Sequence, residues 1–370
     1  MRKAKLHEIV TCVLFCGFIG VMGLLYLALP KMDFSELEKR QLEGAPVLNW
    51  ETLTSGEFGA DLETYMADHM PGRNFFVGLG AYYDLFTGQQ SSKDIYLADG
   101  DRLVETPVTW DQAQVEKNLR YINALAETLG QTVDFILVPS AGFMAQDSIQ
   151  GIHDSYYDDV FIRDIYSLTG DGVRTMDLTQ VFQYREDLYY RTDHHWTSQG
   201  AYLAYRAYMD FVGRDYAQPE FFTVETFDGF RGSTYSRSAL WLTAAETIQL
   251  WHGSDLKVES SLTGKHDGVF YYDRLQEADM YTVFLDGNQP LVRIVNENNA
   301  GKGKILVIRD SYANCIGPFL AESYEEVVMV DLRYYKNPVS QLVASEEFDN
   351  VLILYSIGNF MTDDNFPHLR

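Results

Sequence analysis

The sequence predicts an α/β fold in which a parallel sheet is covered by helices. Three short apolar runs near the C-terminus support this prediction: KILVI at 304–308, VVMVDL at 327–332 and VLILYSI at 351–357. Buried parallel strands have continuous apolar runs of this kind, and the segments between these runs have helical apolar spacing. Strand, helix, strand, helix, strand is the pattern of a sheet with helices on its faces.

A helix and a strand in the first half of the chain extend this pattern. Apolar residues recur at helical spacing between Asp111 and Leu129, where Asp111 is placed as an N-cap and Gly130 is placed to end the helix. The run TVDFILVPS at 132–140 follows, and its break at Pro139 is typical of the end of a buried strand. The α/β alternation therefore begins well before the C-terminal strands.

Residues 213 to about 300 have a different character. They contain RGST, Gly-Asn and Asp-Gly turn signals between stretches in which apolar and polar residues alternate. The turn residues Asp286, Gly287 and Asn288 lie between two such stretches and predict a β-hairpin. This region is interpreted as a partly antiparallel β insertion in the α/β domain.

The N-terminal segment is predicted to anchor the chain in a membrane. Residues 9–29 form an uncharged apolar stretch long enough to cross a hydrocarbon layer as a helix. Three basic residues precede it, which favours a cytoplasmic tail at residues 1–8 and an extracytoplasmic position for the rest. A cleaved signal peptide is the alternative, but the ending ALPK offers a poor cleavage site. We expect a juxtamembrane segment with short helices at residues 30–90 and the α/β domain at residues 91–370.

Composition excludes one large class of partners. The chain has 370 residues, 53 of them acidic and 29 basic, which gives a formal net charge of −24. Such a chain repels a phosphate backbone, so nucleic acid is not expected as a partner. Two of the three cysteines lie in the apolar N-terminal stretch, which leaves Cys315 without an extracytoplasmic disulfide partner. We interpret Cys315 as a small buried residue and expect the core to hold the fold.

Ser311 is the first candidate for a chemical role. The sequence RDSY at 309–312 follows the run KILVI and precedes a helix, so Ser311 is expected at the carboxyl edge of the sheet. Ligands of open α/β folds bind at this edge, and the N–H groups at the helix start could hold an oxyanion. Asp and Ser are also favoured as N-caps without any catalytic role. The local sequence leaves both interpretations open.

A second motif, DHHW at 193–196, supplies groups that would activate a serine. Side chains two apart in an extended segment point the same way, so Asp193 and His195 are expected to lie together while His194 faces elsewhere. A nucleophilic serine needs a neutral imidazole that is oriented by a carboxylate. A helix with Thr197 or Ser198 as its N-cap follows the motif.

A metal site is the alternative interpretation of DHHW. Asp and His are good ligands, but adjacent histidines diverge in most backbone conformations. The sequence has no helical His-x-x-x-His pair and no cysteine cluster to complete a coordination shell. We therefore expect no metal and no cofactor.

Together, these motifs resemble those of the DHHW family. The resemblance rests on the N-terminal anchor, DHMPGR at 68–73, the strand ending near Pro139, DHHW at 193–196 and ILVIRDSYAN at 305–314. The sequence is also similar to the SGNH-hydrolase-like alginate O-acetylation proteins, in which Asp-x-His-Trp is followed much later by a short strand and Asp-Ser or Thr-Ser. The resemblance implies an SGNH-hydrolase-like fold with a permuted motif order, since the serine comes first in ordinary SGNH hydrolases.

The resemblance also implies O-acetyl transfer to a cell-surface or exported polysaccharide, or release of acetyl groups from one. Carried over by motif, Ser311 is the nucleophile, His195 the base and Asp193 its partner, in an acyl-enzyme mechanism. The expected partners are a polysaccharide acceptor and a membrane-embedded protein that donates the acyl group. The same residues would serve an acetyl esterase with water as acceptor, and a non-catalytic carbohydrate-binding surface protein is the third possibility.

Three further residues are candidates for substrate binding. Gly232, in the turn of RGST, is predicted to supply a second oxyanion donor beside the Ser311 N–H. Arg191 and Tyr235 are predicted to contact the acyl group or the acceptor, and an exposed arginine and a packed tyrosine are the alternative interpretations.

Overall fold

The computed structural model describes residues 6–370, which fold into two compact units. The N-terminal unit contains the chain up to Gln89 together with Ala239–Trp241. The second unit contains Gln90–Ser238 and Leu242–Arg370. All of the predicted site residues belong to this second unit.

The regular elements within residues 6–370 are as follows. The helices are α1 Leu6–Ala28, α2 Trp50–Ser55, α3 Glu57–Asp68, α4 Arg73–Phe86, α5 Gln112–Leu129, α6 Ala141–Ala145, α7 Asp158–Ser167, α8 Leu178–Phe182, α9 Ser198–Val212, α10 Ser233–Ser238, α11 Ala313–Leu320, α12 Val339–Ser345 and α13 Ile357–Thr362. The strands are β1 Phe34–Ser35, β2 Arg40–Gln41, β3 Ile95–Ala98, β4 Arg102–Glu105, β5 Val133–Val138, β6 Val173–Thr175, β7 Thr223–Phe230, β8 Glu246–His252, β9 Lys257–Ser260, β10 Gly264–Asp267, β11 Leu291–Val295, β12 Lys304–Arg309, β13 Glu326–Asp331 and β14 Asn350–Ser356.

The main sheet has eight strands in the order β10-β9-β11-β13-β12-β14-β5-β6. β12 pairs in parallel with β13 and β14, and β5 pairs in parallel with β14 and β6. The predicted α/β fold with a parallel sheet covered by helices is confirmed. The apolar runs that predicted the strands at 304–308, 327–332 and 351–357 correspond to β12, β13 and β14.

The segment from 213 to 300 adds antiparallel strands to one edge of this sheet. β11 pairs antiparallel with β13 and β9, β9 forms a hairpin with β10, and β7 and β8 form a separate antiparallel pair. The predicted hairpin at Asp286-Gly287-Asn288 is wrong, because the residues before this turn form 3₁₀ segments at Tyr272–Gln276 and Met280–Val283. Val283, Phe284 and Leu285 are all buried, so this stretch lacks the solvent face of a two-sided strand.

Apolar side chains cover both faces of the parallel strands. Along β12, Ile305 and Val307 belong to one hydrophobic cluster, whereas Leu306 and Ile308 belong to the other. The first cluster includes residues of α9 and α11, and the second includes residues of α5, α7 and α13. All four side chains are fully buried, and burial of each such side chain contributes about 1.5–3 kcal/mol. The position of β12 is thus fixed from both faces.

Two predicted helix starts have the expected caps. Asp111 accepts a hydrogen bond from Gln114 N at 3.0 Å, and α5 ends at Gly130 in the left-handed conformation. Thr197 Oγ1 accepts from Gly200 N at 3.2 Å and caps α9. A cap of this type contributes about 1 kcal/mol, so the start of α9 is fixed directly after DHHW.

The N-terminal unit begins with the predicted span. α1 is apolar, with a mean hydropathy of 2.3 over its 18-residue window, and none of its residues is buried. Its 23 residues are enough to cross a hydrocarbon layer. This agrees with the apolar segment predicted at residues 9–29.

Candidate active site

The turn between β12 and α11, residues 309–313, holds Ser311 at the carboxyl edge of the sheet; we call this turn the serine corner. The neighbouring Asp310 is fully buried. Its Oδ2 atom accepts hydrogen bonds from Ser356 N at 2.7 Å, Ser356 Oγ at 2.8 Å and Asn359 Nδ2 at 2.8 Å. These bonds tie the serine corner to the N-terminal end of α13, so the backbone at Ser311 is fixed by a neighbouring strand and helix.

Ser311 does not cap the helix that follows it. α11 begins at Ala313, and the preceding residue, Tyr312, makes no side-chain cap hydrogen bond. The Ser311 hydroxyl instead lies 2.7 Å from Nε2 of His195. Ser311 therefore does not act as an N-cap, which was one of the two roles that the local sequence allowed.

The three predicted catalytic side chains converge. Nδ1 of His195 lies 2.5 Å from Oδ1 of Asp193, and Nε2 of the same ring lies 2.7 Å from Oγ of Ser311. A carboxylate only accepts hydrogen bonds, so the ring proton is assigned to Nδ1 and Nε2 accepts from the serine hydroxyl. Asp193 is 1% exposed, His195 6% and Ser311 8%. Ser311 is thus the most exposed residue of a nearly buried chain of hydrogen bonds.

The DHHW motif lies in an irregular segment, residues 189–197, which we call the DHHW loop. Glu246, at the start of β8, holds this loop through Arg191 N at 2.9 Å, Thr192 N at 2.7 Å and Thr192 Oγ1 at 2.5 Å. Trp196 is fully buried, and its Nε1 donates to Tyr312 O at 3.0 Å. The last contact joins the loop directly to the serine corner.

The second oxygen of Asp193 is held by the start of α10. Oδ2 accepts from Ser233 N at 2.6 Å and from Ser233 Oγ at 3.0 Å. Ser233 Oγ also lies 2.7 Å from Nδ1 of His194. Because the serine has one hydroxyl proton and gives it to Asp193, His194 acts as the donor in this contact. Both oxygens of the carboxylate are engaged, which fixes its plane against His195.

His194 and Tyr281 flank the imidazole of His195. The His194 ring centroid lies 3.9 Å from that of His195, and burial, together with the nearby His195, lowers the pKa of His194. Tyr281 stacks on His195 with ring centroids 3.9 Å apart and planes 7° from parallel. Burial raises the pKa of Tyr281 well above its ordinary value, so it remains a neutral phenol. The stacked ring restricts rotation of the imidazole out of its hydrogen-bonding plane.

Gly232 has a different role from the one predicted. Its N–H donates to Thr192 Oγ1 at 3.1 Å, so this donor is already engaged and is not free for an oxyanion. A Cβ added to Gly232 would lie 2.1 Å from Cβ of Asp193 and 2.3 Å from its Oδ2. Gly232 therefore allows the close approach of α10 to Asp193, which is a packing role rather than an oxyanion role.

Arg191 and Tyr235 lie in or beside the loop but bind the protein itself. The Arg191 guanidinium donates to Gly100 O at 2.8 Å and to Ala245 O at 3.4 Å. Tyr235 is buried, and its N–H donates to Thr192 O at 2.9 Å. Both residues support the DHHW loop, and their predicted contacts with substrate stay a prediction.

The Asp193, His194 and His195 side chains also form a group that could hold a metal ion, since their ligand atoms lie within 4.8 Å of one another. Both ring nitrogens of His195 are already hydrogen-bonded, one to Asp193 and the other to Ser311. A metal ligated by His195 would have to replace one of these bonds. The hydrogen-bonded arrangement accounts for all three side chains without an ion.

Three residues that support the site were not identified from the sequence. Glu246, Ser233 and Tyr281 all come from the insertion, far along the chain from DHHW. Ser233 follows Gly232 in the RGST turn, and this turn was the one feature of the sequence that could have indicated its role. The other two lie in stretches whose pattern indicates only alternation of apolar and polar residues.

The fold defines the class of protein: a mixed α/β protein with an SGNH-hydrolase-like sheet, as predicted. The chain belongs to the DHHW family, because the sequence profile described as DHHW protein matches residues 116–330. The resemblance found in the sequence is thus confirmed. No curated protein has a matching sequence.

Two solved structures show the same fold. A DHHW family protein from Eubacterium siraeum is 20% identical with a TM-score of 0.65, covering 75% of this chain and 95% of that chain. PatB1 from Bacillus cereus, solved with a sulfonyl adduct, is 22% identical with a TM-score of 0.63, covering 75% of this chain and 99% of that chain. The O-acetyltransferase domain of Pseudomonas putida AlgJ is more distant, with 14% identity and a TM-score of 0.47 over 75% of this chain and 95% of that chain.

Proposed function

We propose that the protein is a membrane-anchored, extracytoplasmic serine acyltransferase that O-acetylates a cell-surface or exported polysaccharide. One observation carries this proposal: Ser311 Oγ, both nitrogens of His195 and the Asp193 carboxylate form a continuous hydrogen-bonded chain, with distances of 2.7 and 2.5 Å. A serine that donates to a neutral imidazole oriented by a carboxylate is the arrangement of an activated nucleophile. A vestigial site would have no need to keep this chain intact.

The geometry suggests the following reaction. Ser311 Oγ attacks the carbonyl carbon of an acetyl donor while its proton passes to Nε2 of His195, and Asp193 stabilises the imidazolium. The Ser311 N–H is the proposed oxyanion donor. The tetrahedral intermediate collapses with transfer of the His195 proton to the leaving oxygen, which leaves an acetyl ester on Ser311. A sugar hydroxyl then attacks this ester, gives its proton to Nε2, and departs acetylated when the serine is reprotonated.

Two further observations support parts of this proposal. PatB1 forms a sulfonyl adduct, and sulfonyl groups bond covalently to activated nucleophiles, which is the reactivity proposed for Ser311. α1 is long and apolar enough to be the anchor, and the basic residues before it favour an extracytoplasmic second unit. The acetyl group, the polysaccharide acceptor and a membrane-embedded donor protein follow from the family resemblance of the motifs.

An acetyl esterase is the second candidate, because the same acyl-enzyme is hydrolysed whenever water reaches it. Transfer and hydrolysis share every step up to the ester on Ser311 and differ only in the acceptor. Incubation of the acetylated protein with oligosaccharides distinguishes them. Acetylated sugar is expected for a transferase, and free acetate at an unchanged rate is expected for an esterase.

The nucleophile itself is tested with a small aryl acetate. The wild-type chain is expected to release the phenol and to gain the mass of one acetyl group on Ser311. The Ser311→Ala variant should lose at least about 1,000-fold in rate and show no added mass. Ser345→Ala, which removes an exposed hydroxyl at the end of α12, is the matched control. Full activity in Ser311→Ala would exclude the proposed mechanism.

A further inference from the structure

The phenol ring of Tyr281 covers one face of the His195 imidazole. The two ring centroids lie 3.9 Å apart, and the ring planes are 7° from parallel. A cation that lies over the face of an aromatic ring, within about 6 Å of its centroid, is attracted by the negative π face. In the resting site Nε2 of His195 accepts from the Ser311 hydroxyl, so the imidazole is neutral. The attraction therefore appears only when the imidazole takes up the serine proton.

The imidazolium that forms during the proposed reaction is a buried cation. His195 is 6% exposed, so water contributes little to stabilising its charge. The Asp193 carboxylate stabilises it at the Nδ1 edge of the ring, and the Nε2 edge is directed at Ser311. Both hydrogen-bonding edges are thus occupied, and further stabilisation must come from the faces of the ring. Cation–π contacts are strongest where they are desolvated, as this one is.

The other rings beside His195 differ from Tyr281 in charge or in orientation. Burial, together with the nearby His195, lowers the pKa of His194, so His194 stays neutral when His195 takes up a proton and does not repel it. Tyr312 lies 4.9 Å from His195, but its ring plane is tilted by 55° and does not present its face squarely. Tyr281 is therefore the ring whose π face is directed at the imidazolium.

Aromatic packing fixes the ring of Tyr281, and its hydroxyl is not used. The residue is 4% exposed, and its ring lies edge-on to Tyr190 at 6.4 Å and 5.2 Å from the ring of Phe284. Within residues 6–370, no group forms a hydrogen bond with the buried hydroxyl of Tyr281. Removal of a buried hydroxyl that has no partner costs little stability. The ring face, rather than the hydroxyl, is thus the part of Tyr281 that acts on the site.

We propose that Tyr281 is a positioning residue that acts through His195 and speeds acyl transfer by a cation–π contact with the imidazolium. This role rests on the proposed function, because the imidazolium forms only if His195 Nε2 takes the proton as Ser311 Oγ bonds to the acetyl carbonyl carbon. The same proton passes to the leaving oxygen when the tetrahedral intermediate collapses. An interaction that is stronger in the transition state than in the ground state raises kcat and leaves KM unchanged.

The test separates the charge of the ring face from the shape of the ring. In the full chain, Tyr281 is replaced by phenylalanine and, by amber suppression, by singly, triply and fully fluorinated phenylalanine. Fluorine withdraws electron density from the π face, whereas the ring keeps nearly the same shape. The kcat and KM for para-nitrophenyl acetate are measured in detergent. Phe284, whose ring packs against Tyr281 and Phe270, receives the fully fluorinated ring as the matched control.

Tyr281→Phe should retain at least about half of the wild-type kcat, because it keeps the ring face. We expect kcat to fall with each added fluorine, to at least about tenfold below Tyr281→Phe for the fully fluorinated ring, with KM unchanged. The fluorinated ring at Phe284 should leave kcat close to that of the wild type. Tyr281→Leu, which lacks a π face, should fall at least as far as the fully fluorinated ring and provides a second variant if that ring hinders folding.

Equal kcat along the fluorinated series, with a loss only in Tyr281→Leu, would overturn the proposal and would show that Tyr281 acts by packing alone. An equal loss from the fluorinated ring at Phe284 would overturn it too, because the effect would then belong to the whole segment. Failure of the proposed function gives a different result: release of nitrophenol would not depend on Ser311, and the role of Tyr281 would be excluded with it.

Discussion

The serine corner and the DHHW loop are joined by several hydrogen bonds, among them those of Ser311 with His195 and of Trp196 with Tyr312, but different forces hold the two segments in place. The serine corner is positioned by β12, which is buried on both faces and paired on both edges. Within the described chain, the DHHW loop pairs with no strand and has a single bridge between Tyr189 and Trp196. Its alignment comes from Glu246 and Ser233 of the insertion. The core of the fold thus places the nucleophile, and polar side chains of the insertion place the base.

This difference can be tested with substitutions in each segment, because those in the serine corner should mainly lower stability and those at the DHHW loop should mainly lower activity. The largest effect is expected for Asp310→Ala in the serine corner, which leaves the buried N–H of Ser356 and its hydroxyl without their acceptor. We expect the free energy of unfolding in urea to fall by about 3–5 kcal/mol. Asp364→Ala, which removes an exposed partner of Lys117, should change it by less than about 0.5 kcal/mol. Equal stabilities of the two variants would show that the serine corner does not depend on this carboxylate.

The second effect is expected at the contact between α10 and the DHHW loop. Gly232→Ala places a Cβ where Asp193 lies, so the carboxylate must move away from His195. We expect the displaced carboxylate to lower kcat about 100-fold. The free energy of unfolding should change less than in Asp310→Ala. Gly358→Ala in α13, where the nearest atom is 3.8 Å from the added Cβ, is the control. Wild-type kcat in Gly232→Ala would contradict the close packing described for Asp193.

A smaller effect is expected for Ser233→Ala. The variant keeps the backbone N–H on Asp193 but loses the hydroxyl that joins Asp193 to His194. We expect kcat to fall about tenfold with KM unchanged, because a hydrogen bond to a charged carboxylate contributes about 1.5 kcal/mol or more and the Ser233 N–H still donates to the same oxygen. Ser236→Ala in the same helix removes a hydroxyl that donates to the Gly232 carbonyl and not to Asp193. If both variants lost the same activity, the effect would belong to α10 as a whole and not to Asp193.

The smallest effect is expected in the pH dependence of stability. Burial lowers the pKa of His194 from its ordinary 6.5, although the carboxylates of Asp193, Glu105 and Asp310 oppose this shift. Below pH 6.5 the unfolded chain therefore binds a proton at this site that the folded chain resists, so stability is full above pH 6.5 and is lost as the pH falls. His194→Gln should remove about 1 kcal/mol of this loss between pH 7.5 and pH 5. Parallel stability curves for the two proteins would show that another group is responsible.

The sequence identified the parts of the site that depend on local rules. β5, β12, β13 and β14 follow from apolar runs, and Asp193 lies with His195 as expected. The expectation that His194 faces elsewhere is wrong, because the segment is irregular rather than extended and the His194 ring lies beside that of His195. Ser311 was placed at the sheet edge by the strand that precedes it.

The rest depends on contacts between distant parts of the chain. Glu246 and Tyr281 reach the DHHW loop only because the insertion folds back on it. Local periodicity in the sequence does not predict such a long-range contact. The prediction of a hairpin at residues 286–288 was wrong for a related reason. The sequence before this turn has the alternating pattern of a strand, but its aromatic residues are buried in a 3₁₀ segment and no face of the segment is exposed. Gly232 was predicted to be an oxyanion donor, and only its distance to Asp193 shows that the position requires a glycine for close packing.

The order of strands in the sheet makes the position of Ser311 depend on segments that follow it in the sequence. β12 lies between β13 and β14, and both of these strands follow it in the sequence. During synthesis from the N-terminus, Ser311 is made before either neighbouring strand. When β14 pairs with β12, Ser356 at the end of β14 comes into position to donate hydrogen bonds to Asp310. The hydrogen bonds that fix the serine corner therefore require that β14 is paired with β12.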